Sequence, residues 1–476
     1  MHIFFKNNRI VFAAITIMLI APIYLVRDIP LYDLPAHIAR QHVLFGEPSL
    51  YYAPLWRLVP NLAIEFWVAA FHRILGIDGA VRLFLAVTVA QLFWGALALN
   101  RVLFNRTQSK LILVVGFFVY SGPFLFGFVN LCFGLGMSLW ATAAWIRWRE
   151  NRYSQPIFMI LSCLILLSHL FAFAVYSVVI VSFQIDEYLR RRNLRRIIIE
   201  LSHLLVPIGL YMQYMPRSQM LGTFVYNPID VKFGAIYSSV GLYDPNINKI
   251  TLSVIFVAII LGWRSLIISP RMRLPLVALI LAFFLLPHSL GEGSFVDFRM
   301  PTTFGLFACA SLNWQQRKEN HLRMEGIIAV FLVARLALMT AQWHYWQNDF
   351  TEYRNAFSML PPGAKLLPLT VDPAKIDSTM MDPPLGHIDA LAVIERGALV
   401  PGLFAGLTHE VLIYRDPYKQ IATQTPSASL LPKFDFILLL RPSEFNQSLL
   451  PKYTIIAQGR TFILGKLTSK AATITD

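Results

Sequence analysis

The feature that most constrains this chain is the recurrence of long apolar runs, from Ile10 to Tyr345, with clusters of arginine and lysine in the short segments between them. A run of about 20 apolar residues is long enough to cross the hydrocarbon core of a bilayer as a helix. In that solvent a spanning segment must satisfy its own backbone polar groups. The sequence therefore predicts an α-helical polytopic membrane protein. Composition agrees: charged residues make up 14% of the 476, where soluble globular proteins carry roughly 25%. A water-soluble enzyme is excluded. The net charge of +14 does not point to nucleic acid, because most of the bases fall in short loops where the positive-inside rule already requires them.

The basic clusters set the topology, since a basic loop is retained on the cytoplasmic side during insertion. They are Lys6/Arg9, Arg101/Arg106/Lys110, Arg147/Arg149/Arg152, Arg190 to Arg196, Arg264/Arg271/Arg273 and Arg317/Lys318/Arg323. The first apolar run ends in Leu25-Val26-Arg27-Asp28-Ile29-Pro30 without a small-x-small cleavage site, so it reads as a retained span. Successive cytoplasmic clusters must be joined by helical hairpins. With a last span from Gly326 to Trp343, the chain is expected to cross about eleven times. Two hairpins are tight: 111–146 and 156–187 hold about 35 residues each, where two full crossings need roughly 40. Their turns are expected at Pro123 to Gly127 and at Ser168-His169.

This places the N-terminus in the cytoplasm and gives a membrane domain over residues 1–347 with outside loops 27–78, 216–249 and 288–301. Residues 348–476 form a small extracytoplasmic α/β domain, with Asp389 to Arg396 helical, strands at Glu410 to Tyr414 and Phe434 to Leu440, and a hairpin around Gly459. Within the first loop, Pro60 to Gly76 reads as an interfacial helix. Trp343, Tyr345 and Trp346 read as an aromatic belt at the membrane surface. Cys132, Cys163 and Cys309 lie inside apolar runs and suggest neither disulfides nor a zinc site.

The densest polar group is in the first outside loop: Asp28, Asp33, His37, Arg40 and, further on, Glu65. A helix starting at Pro35 would use Asp33 as its cap, and this structural role weighs evenly against a catalytic one. On that helix His37 and Arg40 share a face. A carboxylate that activates a hydroxyl, beside a guanidinium that takes up charge on a phosphate, suits a reaction on a lipid phosphate. The third outside loop adds His288, Glu292, Asp297 and Arg299. Asp297 and Arg299 could simply pair at a helix start, or Arg299 could bind phosphate. Lys232 is a further headgroup contact, against the default of a solvated lysine. His169 and Arg335 lie within apolar runs; His169 is more readily an interior hydrogen-bonded histidine than a ligand, and Arg335 must find a partner or a pocket. No Walker sequence, dinucleotide fingerprint or HExxH is present.

The pattern resembles the GT-C superfamily of polytopic glycosyltransferases, notably bacterial members similar to protein mannosyltransferases and aminoarabinose transferases. The residues concerned are Asp33 in YDLPAHIAR, PNLAIE at Pro60 to Glu65, GFVN at Gly127 to Asn130, Ser168-His169-Leu170, and DFRMP at Asp297 to Pro301. The first-loop motif lacks the paired acids of some members, which leaves metal dependence and acceptor open. The resemblance implies inverting transfer of a sugar from a polyprenyl-phosphate donor to a glycan, lipid or protein acceptor at the outer face of the bacterial cytoplasmic membrane. Asp33 would be the general base, with His37 and Glu65 at the catalytic centre, and Arg40, Arg299 and Lys232 would hold the donor phosphate. Asp297, His288, Glu292 and His169 would position the substrates. No metal ligand and no cofactor are expected, although a divalent cation is compatible. The competing class is a non-enzymatic membrane protein, either a lipid or polysaccharide transporter or an envelope assembly factor.

Overall fold

The computed structural model describes residues 2–105, 110–151, 153–214, 224–291, 293–314, 319–370, 384–406, 410–421, 428–444 and 452–468. It separates into two compact units, Met1–Leu25 with Leu58–Phe66 and Arg82–Thr340, and Val26–Arg57 with Trp67–Val81 and Ala341–Asp476.

The first unit is almost entirely helical. Five helices of the described chain are long and apolar enough to cross a membrane: Ala63–Phe104, Val129–Trp148, Leu170–Arg191, Pro245–Gly262 and Arg323–Ser358. Others are apolar but shorter, including Ile10–Leu25, Ile112–Phe126 and Ser154–Ser168. The protein is thus multi-pass, with full-length spans interleaved with short helices. The two tight hairpins show why helices are short here. In the first, the run from Lys110 breaks at Tyr120-Ser121 and a five-residue helix Gly122–Phe126 ends on Gly127 at φ 97°, a left-handed cap that glycine adopts without steric cost. In the second, the break falls at His169 as expected: its extended backbone ends Ser154–Ser168, and its Nδ1 accepts from Phe171 N at 3.1 Å to cap Leu170–Arg191.

The segment expected as a separate interfacial helix instead begins the 42-residue helix Ala63–Phe104, whose direction changes at Gly76 with φ 70° and ψ 169°. A non-helical residue inside a continuous helix is one of the recognised causes of a kink. The start of this helix is tied to the GFVN stretch. Asn130 Oδ1 accepts from Ile64 N at 2.9 Å, and its Nδ2 donates to the backbone oxygen of Asn61 at 2.9 Å. Asn61 stands at φ 81°, a left-handed conformation that asparagine tolerates better than most residues.

The second unit holds a four-stranded sheet in the order Leu366–Leu369, Phe436–Leu440, Phe462–Leu467, Tyr453–Gln458. The first two strands are parallel and the others antiparallel. All five residues of Phe436–Leu440 are buried, which is why that strand reads as an unbroken apolar run. Pro368 is accommodated because its strand ends the sheet. The unit is larger than the expected domain 348–476, because the chain from Val26 to Arg57 belongs to it. Strand Tyr52–Pro54 pairs antiparallel with Leu412–Tyr414, Tyr52 facing Tyr414. The helix Leu34–Phe45 packs on Ala390–Arg396, and Ala36, Ala39, Tyr51 and Tyr52 join the same hydrophobic core as Ile388, Leu412 and Ile437. Trp343 and Trp346 are fully buried here rather than standing in an interfacial belt, while Tyr345 is exposed.

Polar contacts fasten the entry of the chain into this unit. Gln347 accepts from the backbone N–H groups of Arg27 and Asp28 and donates to Asp28 O at 2.8 Å. Arg354 binds Asp28 through Nη2 at 2.6 Å and Glu395 through Nη1.

Replacing Asn130 by alanine leaves the buried Ile64 N–H without its acceptor. An unsatisfied buried donor costs about 1–3 kcal/mol. The expected outcome is a lower thermal midpoint of the detergent-purified protein, read by tryptophan fluorescence; an unchanged midpoint would show that this tie carries no load.

Candidate functional site

Asp33 is built into the second unit. It precedes the helix Leu34–Phe45 at φ −90° and ψ −7°, and its side chain makes no capping hydrogen bond to that helix. The capping role that competes with a catalytic one is therefore not the role its carboxylate takes. Instead Oδ1 stands 3.7 Å from His387 Nε2. His387 lies in a turn that sequence reasoning passed over. Burial pushes its imidazole down to about 4, so it is neutral at physiological pH. The turn fits closely against the residue before Asp33: a side chain on Gly386 would meet the Tyr32 ring at 2.1 Å. Burial, followed by the charges of Asp33 and Asp389, pushes the Tyr32 hydroxyl up to about 12.

One helical turn on, His37 and Arg40 share a face as their spacing predicts, with His37 Nδ1 3.4 Å from Arg40 Nη2. Phe404 is the common wall. Its ring centre lies 5.0 Å from that of His37, 4.9 Å from that of His387 and 5.7 Å from the Arg40 guanidinium carbon. Arg40 is 1% exposed and forms a buried ion pair with Glu410 through Nη1. The guanidinium that the sequence suggests as a phosphate clamp thus stands against a carboxylate. Two residues after His387, Asp389 is buried, and burial raises its carboxyl to about 7.

The first unit holds the remaining predicted residues. Glu65 is fully buried in the first turn of Ala63–Phe104, where the helix dipole favours an anion. Asp297 opens a short 3-10 turn and faces His288, Oδ1 to Nδ1 at 3.1 Å. Arg299 lies over the Phe128 ring at 4.7 Å and the Phe171 ring at 5.9 Å and donates to Ser294 O at 3.0 Å. Lys232 is buried and donates to the carbonyls of Phe284 and Leu286 at 3.0 and 2.7 Å, so it caps the end of Arg273–Leu285. Arg335 donates to the carbonyls of Phe117 and Gly241 at 3.0 and 2.9 Å. Glu292 lies outside the described residues.

The residues missed by sequence reasoning are His387, Asp389, Phe404 and Glu410. Glu410 and Asp389 were visible as ends of predicted elements, but nothing local marks them as partners of a helix some 370 positions away.

The helical first unit and the α/β second unit make up a fold seen in solved structures. Two solved structures share it across nearly the whole chain. The structure of ArnT from Cupriavidus metallidurans bound to undecaprenyl phosphate matches with a TM-score of 0.55 at 11% identity, over 98% of this chain and 99% of that one. ArnT from the same organism in the apo state matches with a TM-score of 0.57 at 10% identity, with the same coverage. No protein-family model matches the sequence, and no curated protein matches it.

Asp389 sets a pH dependence. Its folded pKa of about 7 lies above the ordinary carboxyl value, so between roughly pH 4 and 7 the folded state holds a proton that the unfolded state has released. Stability from this group is greatest at the acid end and falls as pH rises toward 7. Thermal midpoints measured across that window should fall for the wild type on this account, and Asp389→Asn should flatten the slope and raise the midpoint at pH 7.5. A variant with the same slope as wild type would remove Asp389 as its source.

Proposed function

We propose that the protein is an inverting glycosyltransferase that moves a sugar from a polyprenyl-phosphate donor to an acceptor at the outer face of the bacterial cytoplasmic membrane, with Asp33 as general base. The observation that carries this reading is the Asp33 carboxylate, which is held in a built environment and is not spent on capping its helix. Support comes also from the fold shared with ArnT, one structure of which binds undecaprenyl phosphate. Inverting transfer needs a single carboxylate to take the acceptor proton, because no covalent sugar-enzyme intermediate forms. The leaving lipid phosphate gains charge as the bond to the sugar breaks, and a guanidinium stabilises that charge.

Arg299, whose guanidinium lies over the Phe128 ring and donates to Ser294 O, is the residue assigned this second role. His288 with Asp297 positions the loop that bears Arg299. Lys232 and His169 are spent on backbone groups and serve the scaffold. The transporter reading loses support for a related reason. The intramembrane groups that it would employ, Arg335 and His169, are engaged with backbone atoms.

The test is an assay of purified protein against a panel of polyprenyl-phosphate sugars with acceptor lipids, reading release of the lipid phosphate. Asp33→Asn should lower turnover at least a hundredfold, in line with the usual 10²–10⁴ contribution of a general base, while retaining the wild-type thermal midpoint. Arg299→Gln should lower kcat and kcat/KM together, as expected when a contact strengthens in the transition state. Undiminished transfer by Asp33→Asn would sink the assignment.

A further inference from the structure

A second polar concentration lies in the first unit, among the residues that the sequence marks only as topological. A pocket of about 400 Å³ is lined by Arg147, Arg149, Arg190, Arg191 and Arg271 against three acids, Glu150, Asp186 and Glu187. Its walls come from the ends of Val129–Trp148 and Leu170–Arg191 and from the turn Pro270–Met272. The positive-inside rule requires basic residues in such segments but not that they converge on one cavity.

The acids are already taken. Glu187 is paired with Arg149 and, at 3.3 Å, with Arg191; Asp186 is 3.0 Å from Arg190; Glu150 is 2.7 Å from Arg196. Arg149 is further fixed over Trp145 at 4.9 Å and Phe183 at 5.2 Å. Arg147 and Arg271 line the pocket, are exposed, and make no ion pair among the described residues. Helix dipoles account for the arginines at the two helix ends, but not for Arg271, which precedes the N-terminus of Arg273–Leu285, where a cation is disfavoured. An anion in the pocket answers both the surplus guanidinium charge and that positive helix end.

We propose that this pocket binds a phosphoryl anion, either the headgroup of an acidic phospholipid or free phosphate, through Arg147 and Arg271. The neighbouring exposed apolar side chains Trp148, Ile185 and Leu189 suit acyl chains and favour the lipid.

The test uses the full-length protein purified in detergent. Native mass spectrometry with phosphatidylglycerol or phosphatidylcholine measures lipid binding, and calorimetric titration measures inorganic phosphate. Phosphatidylglycerol should bind at least tenfold more tightly than phosphatidylcholine, and Arg147→Gln/Arg271→Gln should erase that preference without lowering the thermal midpoint. Phosphate binding that the same variant abolishes, with no preference between the lipids, assigns the site to the free anion. The control variant Arg264→Gln/Arg323→Gln removes two exposed arginines outside the pocket. Equal loss in both double variants would reduce the effect to bulk charge and overturn the proposal, as would a wild type that neither prefers the acidic lipid nor binds phosphate.

Discussion

A guanidinium that cannot lose its proton and cannot reach water sets the terms for the second unit. Arg40 is 1% exposed and Glu410 4%, and a buried charge without its partner is strongly destabilising. The helix that bears Arg40 can therefore settle only where Glu410 meets it. That requirement fixes the same helix against Ala390–Arg396, brings Phe404 under His37 and Arg40, and leaves Asp33 facing the 386–389 turn. The carboxylate on which the functional reading rests lies on the helix that this pair of charges holds.

In the first unit, buried polar side chains are handled by a different rule. Asn130, Lys232, Arg335 and His169 each bind backbone carbonyls or N–H groups at points where helices start, stop or break. A chain made of many short helices has many unsatisfied helix ends, and in an apolar surrounding each must be met from within the protein. Polar residues inside the apolar runs serve that need. The sequence raised Lys232 and His169 as substrate contacts because side-chain chemistry alone does not disclose which backbone group lies within reach.

Much of the architecture was legible from hydropathy and turn chemistry. The polytopic helical class, the break at His169, the helix at 390–396, the buried strand within FDFILLL and the closing hairpin all follow from local pattern. The shared face of His37 and Arg40 followed from their spacing. What local pattern could not supply was long-range partnership. Tyr52–Pro54 is a three-residue strand with no alternation to read, so the union of the first loop with the C-terminal unit was invisible. His387 sits at φ 51° in an irregular turn, and its approach to Asp33 depends on a glycine at 386 whose reason is a tyrosine ring from the first loop.

The pairing of Tyr52–Pro54 with Leu412–Tyr414 has a consequence for how the protein comes into being. A ribosome delivers the first strand long before the second. Throughout that interval the first loop has no sheet to join, no Glu410 for Arg40 and no turn to face Asp33. The segment that bears the proposed base therefore acquires its shape near the end of biosynthesis, when residues 384–414 have emerged. A nascent chain lacking them holds every apolar helix of the first unit while Tyr52–Pro54 still has no strand to pair with and Arg40 no carboxylate at 410.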